Sequence, residues 1–203
     1  MKEMLARHKG KLILSSLVIL LPILPAAFAG QTLFLWEPVL LLVSQWVIML
    51  VVLHANRNKE QSPKVLNLVA WILPVLSLLL GVVGQLAQGG ADSAYLITAL
   101  FTFFMGLLFF LIGNYMPKTK QNGAVGIRIK WTLESEENWD ATHRYAGKLW
   151  CLGGLLLMVC ALIPSVLAVI LLWIVILAAM VILPTRYSYR FYKSQVAEGK
   201  VEK

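Results

Sequence analysis

Every one of the eighteen Lys and Arg residues lies in one of four polar segments, and between those segments the chain is apolar over lengths that match a lipid bilayer. A spanning helix needs about 20 mainly apolar residues, and in lipid each backbone polar group must be bonded within the segment. Six stretches meet that demand: residues 12–28, 38–53, 65–86 and 95–112, and two more within 149–183. The last run is too long for one crossing and is divided by Pro164, which cannot continue a hydrogen-bonded helix. A tight hairpin turning near Ile163, Pro164 and Ser165 follows. Only 14% of the 203 residues are charged, against about a quarter in a soluble domain, so an ordinary soluble fold is excluded.

The charges alternate with the spans. The amino terminus carries Lys2, Arg7, Lys9 and Lys11, and the second-to-third connection carries Arg57, Lys59 and Lys64. Lys118, Lys120, Arg128, Lys130, Arg144 and Lys148 fall between the fourth and fifth spans, and Arg186, Arg190, Lys193, Lys200 and Lys203 fall in the tail. The opposite connections, 29–37, 87–93 and the Pro164 turn, hold none. By the positive-inside rule both termini are expected in the cytoplasm of a multi-pass protein. The net charge of +8 is then a topology signal that also faces anionic inner-leaflet lipid, and no direct nucleic-acid partner is expected. The first segment has the basic start and small-residue end of a signal peptide at Ala26, Ala27 and Ala29. Five further spans nevertheless need a first helix to orient them, and it is expected to be retained.

No Asp, Glu, Lys or Arg stands at midplane depth in the six spans, which argues against ion-coupled transport; a passive channel would need polar linings these spans lack. Ser44, Gln45, Ser77, Gln85, Thr98 and Thr102 are expected to hydrogen-bond between helices, at about 0.6 kcal/mol each. Trp36, Trp150, Tyr187 and Tyr189 fall at membrane borders, where aromatic anchors collect. Cys151 and Cys160 are two and a half helical turns apart, on opposite faces, and are read as unpaired packing residues.

The connection at 113–148 is the most distinctive part of the chain. Its first half, with Asn114, Pro117, Asn122, Gly123 and Gly126, has turn chemistry. A short cytoplasmic amphipathic helix is expected from Thr132 or Ser135 onward, either residue serving as N-cap, with Glu134, Glu136 and Glu137 near the positive end of its dipole and Arg144 and Lys148 near the other. Trp139, Thr142, His143 and Ala146 share one face of that helix, which places Trp139 and His143 in a stack one turn apart. One reading is structural: a helix on the inner leaflet or under the bundle, anchored by Trp131 and Trp139, with His143 bonded to a loop carbonyl. The other makes Glu136, Asp140 and His143 weak metal or acid/base candidates. The HExxH, GxSxG, P-loop and GxGxxG signatures are all absent. No metal or cofactor is expected, no catalytic residue is assigned, and an enzymatic role is the less favoured one.

The residues Gly113-Asn114, Pro117-Lys118, Asn122, Gly126-Ile127-Arg128, Trp131-Thr132-Leu133, Trp139 and Thr142-His143-Arg144, followed by Gly147, carry a resemblance: the segment resembles the carboxyl-terminal domain of the SdpI family of bacterial membrane proteins. Lys130 stands where that family tends to have proline, and the amino-terminal region lacks the family's histidine pattern, reading PAAFAG at 25–30. The organisation expected is a divergent four-helix membrane region (1–112), a cytoplasmic motif loop and amphipathic helix (113–148), and a helical hairpin with a basic tail (149–203). The resemblance implies a six-helix, all-α integral protein of the bacterial cytoplasmic membrane that protects its host from a secreted, membrane-active toxic peptide, and that also signals by capturing a cytoplasmic transcriptional repressor. It places the functional motif at Asn114, Pro117, Lys118, Asn122, Gly126, Arg128, Trp131, Thr132, Trp139, Thr142, His143 and Arg144. The alternative is an integral-membrane enzyme or lipid-handling protein that uses an Arg128, Trp131, Trp139, His143 cluster at the inner interface.

Overall fold

Among the described residues, five helices are long and apolar enough to cross a membrane, at Lys9–Phe28, Trp36–Ala55, Pro63–Leu86, Ala94–Lys118 and Val166–Ala197. The structure, a computed structural model, describes residues 2–28, 30, 36–55 and 62–199, all in helices, turns and coil. Arg57, Lys59, Lys200 and Lys203, four of the orienting charges, and most of the 29–37 connection lie outside the described residues. The helices are α1 (Lys2–Leu20), α2 (Ile23–Phe28), α3 (Trp36–Ala55), α4 (Pro63–Leu86), α5 (Ala94–Tyr115), α6 (Lys130–Glu134), α7 (Glu136–Cys160) and α8 (Val166–Ala197). They form two compact units, Met1–Phe104 and Met105–Lys203.

In the first unit, α1, α3 and α4 meet around Leu12, Met49 and Ala70. The polar groups buried there join helices as expected: Gln45 Nε2 donates to Ser15 Oγ at 2.6 Å, and the Ser77 hydroxyl donates to the Ile19 carbonyl at 2.8 Å. Thr98 instead bonds within its own helix, to the Ala94 carbonyl. The outward faces carry Leu14, Leu17, Leu40 and Val43, each more than half exposed. Apolar side chains exposed in such numbers mark a surface meant for lipid.

In the second unit the turn at 161–165 divides α7 from α8, with Ser165 as N-cap accepting from the Ala168 N–H. That is the hairpin expected at Pro164. The rest of this region differs from the expectation. The amphipathic helix and the fifth span are one continuous helix, α7, whose first three turns and more are polar and whose apolar part, residues 149–160, is only about 18 Å long. It is the candidate span that falls short of the membrane-crossing criteria met by the other five. The polar and apolar parts join without a break: no proline stands between them, and Gly147, a residue type that often ends a helix, here lies inside α7 packed against Gly113 and Pro117.

α8 is likewise longer than its apolar part: it runs through Pro184 and on to Ala197, about 48 Å in all. Pro184 has no N–H for the Met180 carbonyl, one turn back. The indole N–H of Trp150 on α7 takes that carbonyl at 3.1 Å, so the helix continues with its lost bond replaced from its neighbour. Trp150 thus has a structural duty beyond that of a border aromatic. Cys151 and Cys160 are unpaired.

Candidate functional site: a loop sealed onto a helix

The segment 113–148 folds as a loop closed over one face of α7. Ser135 caps that helix, its hydroxyl accepting from the Asn138 N–H at 3.1 Å, and Glu136 and Glu137 follow in the first turn, where carboxylates favour the dipole. The loop itself is held by side chains, since it has no regular ladder. Asn122, buried, donates through Nδ2 to the Lys120 and Val125 carbonyls at 2.7 and 2.9 Å. Its Oδ1 accepts from the Ala124 and Val125 N–H groups, both at 2.7 Å. All of its hydrogen-bonding capacity goes into one turn, which explains why asparagine suits that place. Thr132, fully buried, has its hydroxyl 2.7 Å from the Ile127 carbonyl and accepts the Ile129 N–H at 3.2 Å, closing the entry to α6. Gln121 donates to the carbonyls of Thr132 and Leu133 at 2.9 and 3.0 Å. Lys130 is the first residue of α6, a position where proline is also tolerated.

Trp139 and His143 form the centre of the closure. Their rings stack with centroids 4.1 Å apart and planes 19° from parallel, as their i, i+4 spacing predicts. Both are almost completely buried. The Trp139 indole N–H donates to the Thr119 carbonyl at 2.7 Å. His143 Nε2 accepts the Ile127 N–H at 2.9 Å, which leaves Nδ1 to carry the proton and donate to the Trp139 carbonyl at 2.8 Å. The ring is therefore neutral and doubly bonded. Burial lowers its pKa below the ordinary histidine value, against smaller opposing effects from the Trp139 carbonyl and the charge of Asp140. The loop carbonyl expected for His143 is not its partner: the carbonyl it bonds is that of Trp139 on its own helix, and the bond to the loop comes from the Ile127 N–H.

Gly126 makes this contact possible. Its φ is +120°, and a Cβ there would lie 2.5 Å from His143 Nε2 and 2.8 Å from the Trp139 ring. Only glycine meets both the backbone conformation and the clearance.

A second set of polar groups ties the same part of α7 to α8. Asn138 Nδ2 donates to the Ser188 carbonyl at 3.1 Å, and Asn138 Oδ1 accepts the hydroxyls of Thr142 and Ser188, both at 2.9 Å. All three side chains are fully buried. Near the helix start, Gln195 Nε2 donates to Glu137 at 3.0 Å. Asn138 and Ser188 were not among the residues singled out from the sequence; the i, i+4 relation of Asn138 to Thr142 was the available signal, but its partner is fifty residues away.

The motif residues thus separate into two groups. Asn122, Thr132, Trp139, Thr142 and His143 are buried, whereas Asn114, Pro117, Lys118, Gly126, Arg128 and Arg144 are exposed. Trp131 is half-buried against Tyr189, with centroids 4.8 Å apart, and Lys118 lies over the Tyr115 ring. Arg128, Trp131, Trp139 and His143 therefore do not gather in one pocket. Glu136 and Asp140 point to solvent while His143 points inward, so the acidic residues and the ring do not converge, and both ring nitrogens are already bonded. No group of three or more His, Cys, Asp or Glu residues suited to a metal occurs among the described residues.

Comparison with known proteins agrees with this segment's prominence. The SdpI/YfhL protein family matches residues 118–188. The chain is also 28% identical over 179 residues to the immunity protein SdpI of Bacillus subtilis (strain 168), covering 83% of this chain and 79% of that protein. No solved structure matches.

Proposed function

We propose, from the SdpI/YfhL family domain that this chain carries at residues 118–188, that the protein gives its host immunity to a secreted, membrane-active toxic peptide from within the cytoplasmic membrane. The observation that carries this reading is the similarity to an immunity protein over most of both chains. The closed construction of the motif supports it. Its buried residues use their hydrogen-bonding groups on one another and on the loop backbone, an arrangement that sets a shape and leaves His143 no free nitrogen for proton transfer or metal.

In this account the buried residues hold a scaffold, and the exposed Asn114, Lys118 and Arg128 form the recognition face that a cytoplasmic partner, a transcriptional repressor, meets. Toxin binding would act by favouring one of two displays of that face, which requires that it bind the two unequally. Both termini and the motif lie on the cytoplasmic side, in keeping with the side that collects the positive charge. Survival of a sensitive bacterium expressing this chain, against an empty vector, under challenge by secreted killing peptides tests the reading. Protection is expected; equal killing with and without the chain, by every secreted killing peptide of the strain that encodes it, would end the reading.

A further inference from the structure

Away from the sealed loop, on another face of α7, two cavities of about 440 and 230 Å3 lie beside α8. Tyr145 and Tyr187 line both, stacked with centroids 4.5 Å apart and planes 16° from parallel. Arg144 and Lys148 line the larger cavity, and Arg186 and Arg190 the smaller. Each pair is spaced i, i+4, and like charges at that spacing repel on a helix surface. None of the four is ion-paired among the described residues, where the ion pair formed is Lys130 with Glu134. The carboxylate that borders the larger cavity, Glu137, is engaged by Gln195. Four cations and one carboxylate, Glu137, are thus brought to a stacked tyrosine pair, which leaves a clear excess of positive charge in the cleft.

Their level along the helices identifies the anion's source. The apolar part of α7 begins at residue 149, and that of α8 ends at Pro184. The smaller cavity, lined from Leu183 to Arg190, and the Lys148 end of the larger one therefore sit within about two turns of the hydrocarbon on the polar side, the depth of a phospholipid headgroup, while the larger cavity runs on to Glu137 about three turns out. Arginine forks match a phosphate's oxygens, and the tyrosines offer rings for the glycerol and hydroxyls for the headgroup.

We infer that the cleft at Arg144, Lys148, Arg186 and Arg190, around Tyr145 and Tyr187, binds the phosphate of an anionic lipid headgroup. The test uses the full chain in neutral detergent, with thermal stability followed during titration by phosphatidylglycerol, phosphatidylcholine of the same chain length, or inorganic phosphate. Phosphatidylglycerol should stabilise the parent and the other two should not. Replacing two cations, Arg144→Gln with Arg190→Gln, should raise the half-saturating concentration about 30-fold, the equivalent of about 2 kcal/mol at about 1 kcal/mol per basic residue. Lys148→Gln with Arg186→Gln gives a second pair should the first not fold. The charge-matched pair Lys130→Gln with Lys193→Gln, which lines neither cavity, should leave the midpoint within about threefold. Equal loss in that control pair would overturn the inference in favour of diffuse attraction, and stabilisation by inorganic phosphate alone would overturn the assignment to lipid.

Discussion

At the scale of single residues, Gly126 and His143 are two halves of one contact. Gly126→Ala adds a Cβ at a φ of +120°, inside van der Waals range of His143 and Trp139. A destabilisation of about 1–3 kcal/mol is expected, read as a lowered melting temperature of the detergent-solubilised protein. His143 makes the closure pH-sensitive with a defined sign. Its folded pKa is lowered by burial, so the unfolded chain binds a proton first as pH falls. Stability is then fully present above the ordinary histidine pKa of about 6.5 and declines as pH drops through that value toward the folded one. Melting between pH 7.5 and pH 5 should show this loss in the parent and a smaller slope in His143→Gln. Much of this site was legible beforehand: the i, i+4 stack of Trp139 on His143 follows from helix geometry alone. The pairing of His143 with Ile127 was not, because a loop's path is fixed by turns such as that of Asn122, and no periodicity marks where it lands.

At the scale of elements, the hairpin was legible through Pro164, and the start of the polar helix was legible to within Thr132 or Ser135, of which Ser135 caps α7 while Thr132 lies inside α6. The sequence pattern divides α7 into an amphipathic helix and a span, because its two halves differ in polarity, whereas helix continuity depends on backbone bonds that polarity does not break. The last apolar run likewise ends at Leu183, whereas the helix that carries it continues through Pro184 to Ala197. The long-range bond from Trp150 to the Met180 carbonyl is what local reading misses. Trp150→Phe should leave that buried carbonyl unanswered at a cost of about 1–3 kcal/mol. In a Pro184→Ala background the backbone N–H at 184 is restored, and the same Trp150 substitution should then cost distinctly less. A double-mutant cycle on thermal stability measures that coupling. Tight packing makes a further demand: Gly106 lies against Gly154, and Gly113 against Gly147, so that a Cβ at any of the four would meet backbone atoms of the partner helix or, at Gly147, also the Pro117 ring, at under 3 Å. The pairs are spaced by seven on both helices, as two antiparallel helices in close contact require, and small residues permit this approach in lipid. Gly154→Leu should therefore force the helices apart and lower the amount of protein recovered in the membrane.

At the scale of the whole molecule, the account rests on a division of labour within the motif. Buried residues hold the loop on α7, and in the proposed function it is the exposed face, including Lys118 and Arg128, that is assigned to recognition. The most direct measurement is survival under toxic-peptide challenge of cells expressing the parent, Lys118→Ala with Arg128→Ala, or His143→Gln, all brought to equal membrane levels with melting temperatures recorded. The account predicts that the exposed pair loses protection while melting like the parent, and that His143→Gln loses protection only as far as its stability falls. Full protection by the exposed pair, together with loss of protection by a His143→Gln protein as stable as the parent, would contradict it and return the chemistry to the histidine.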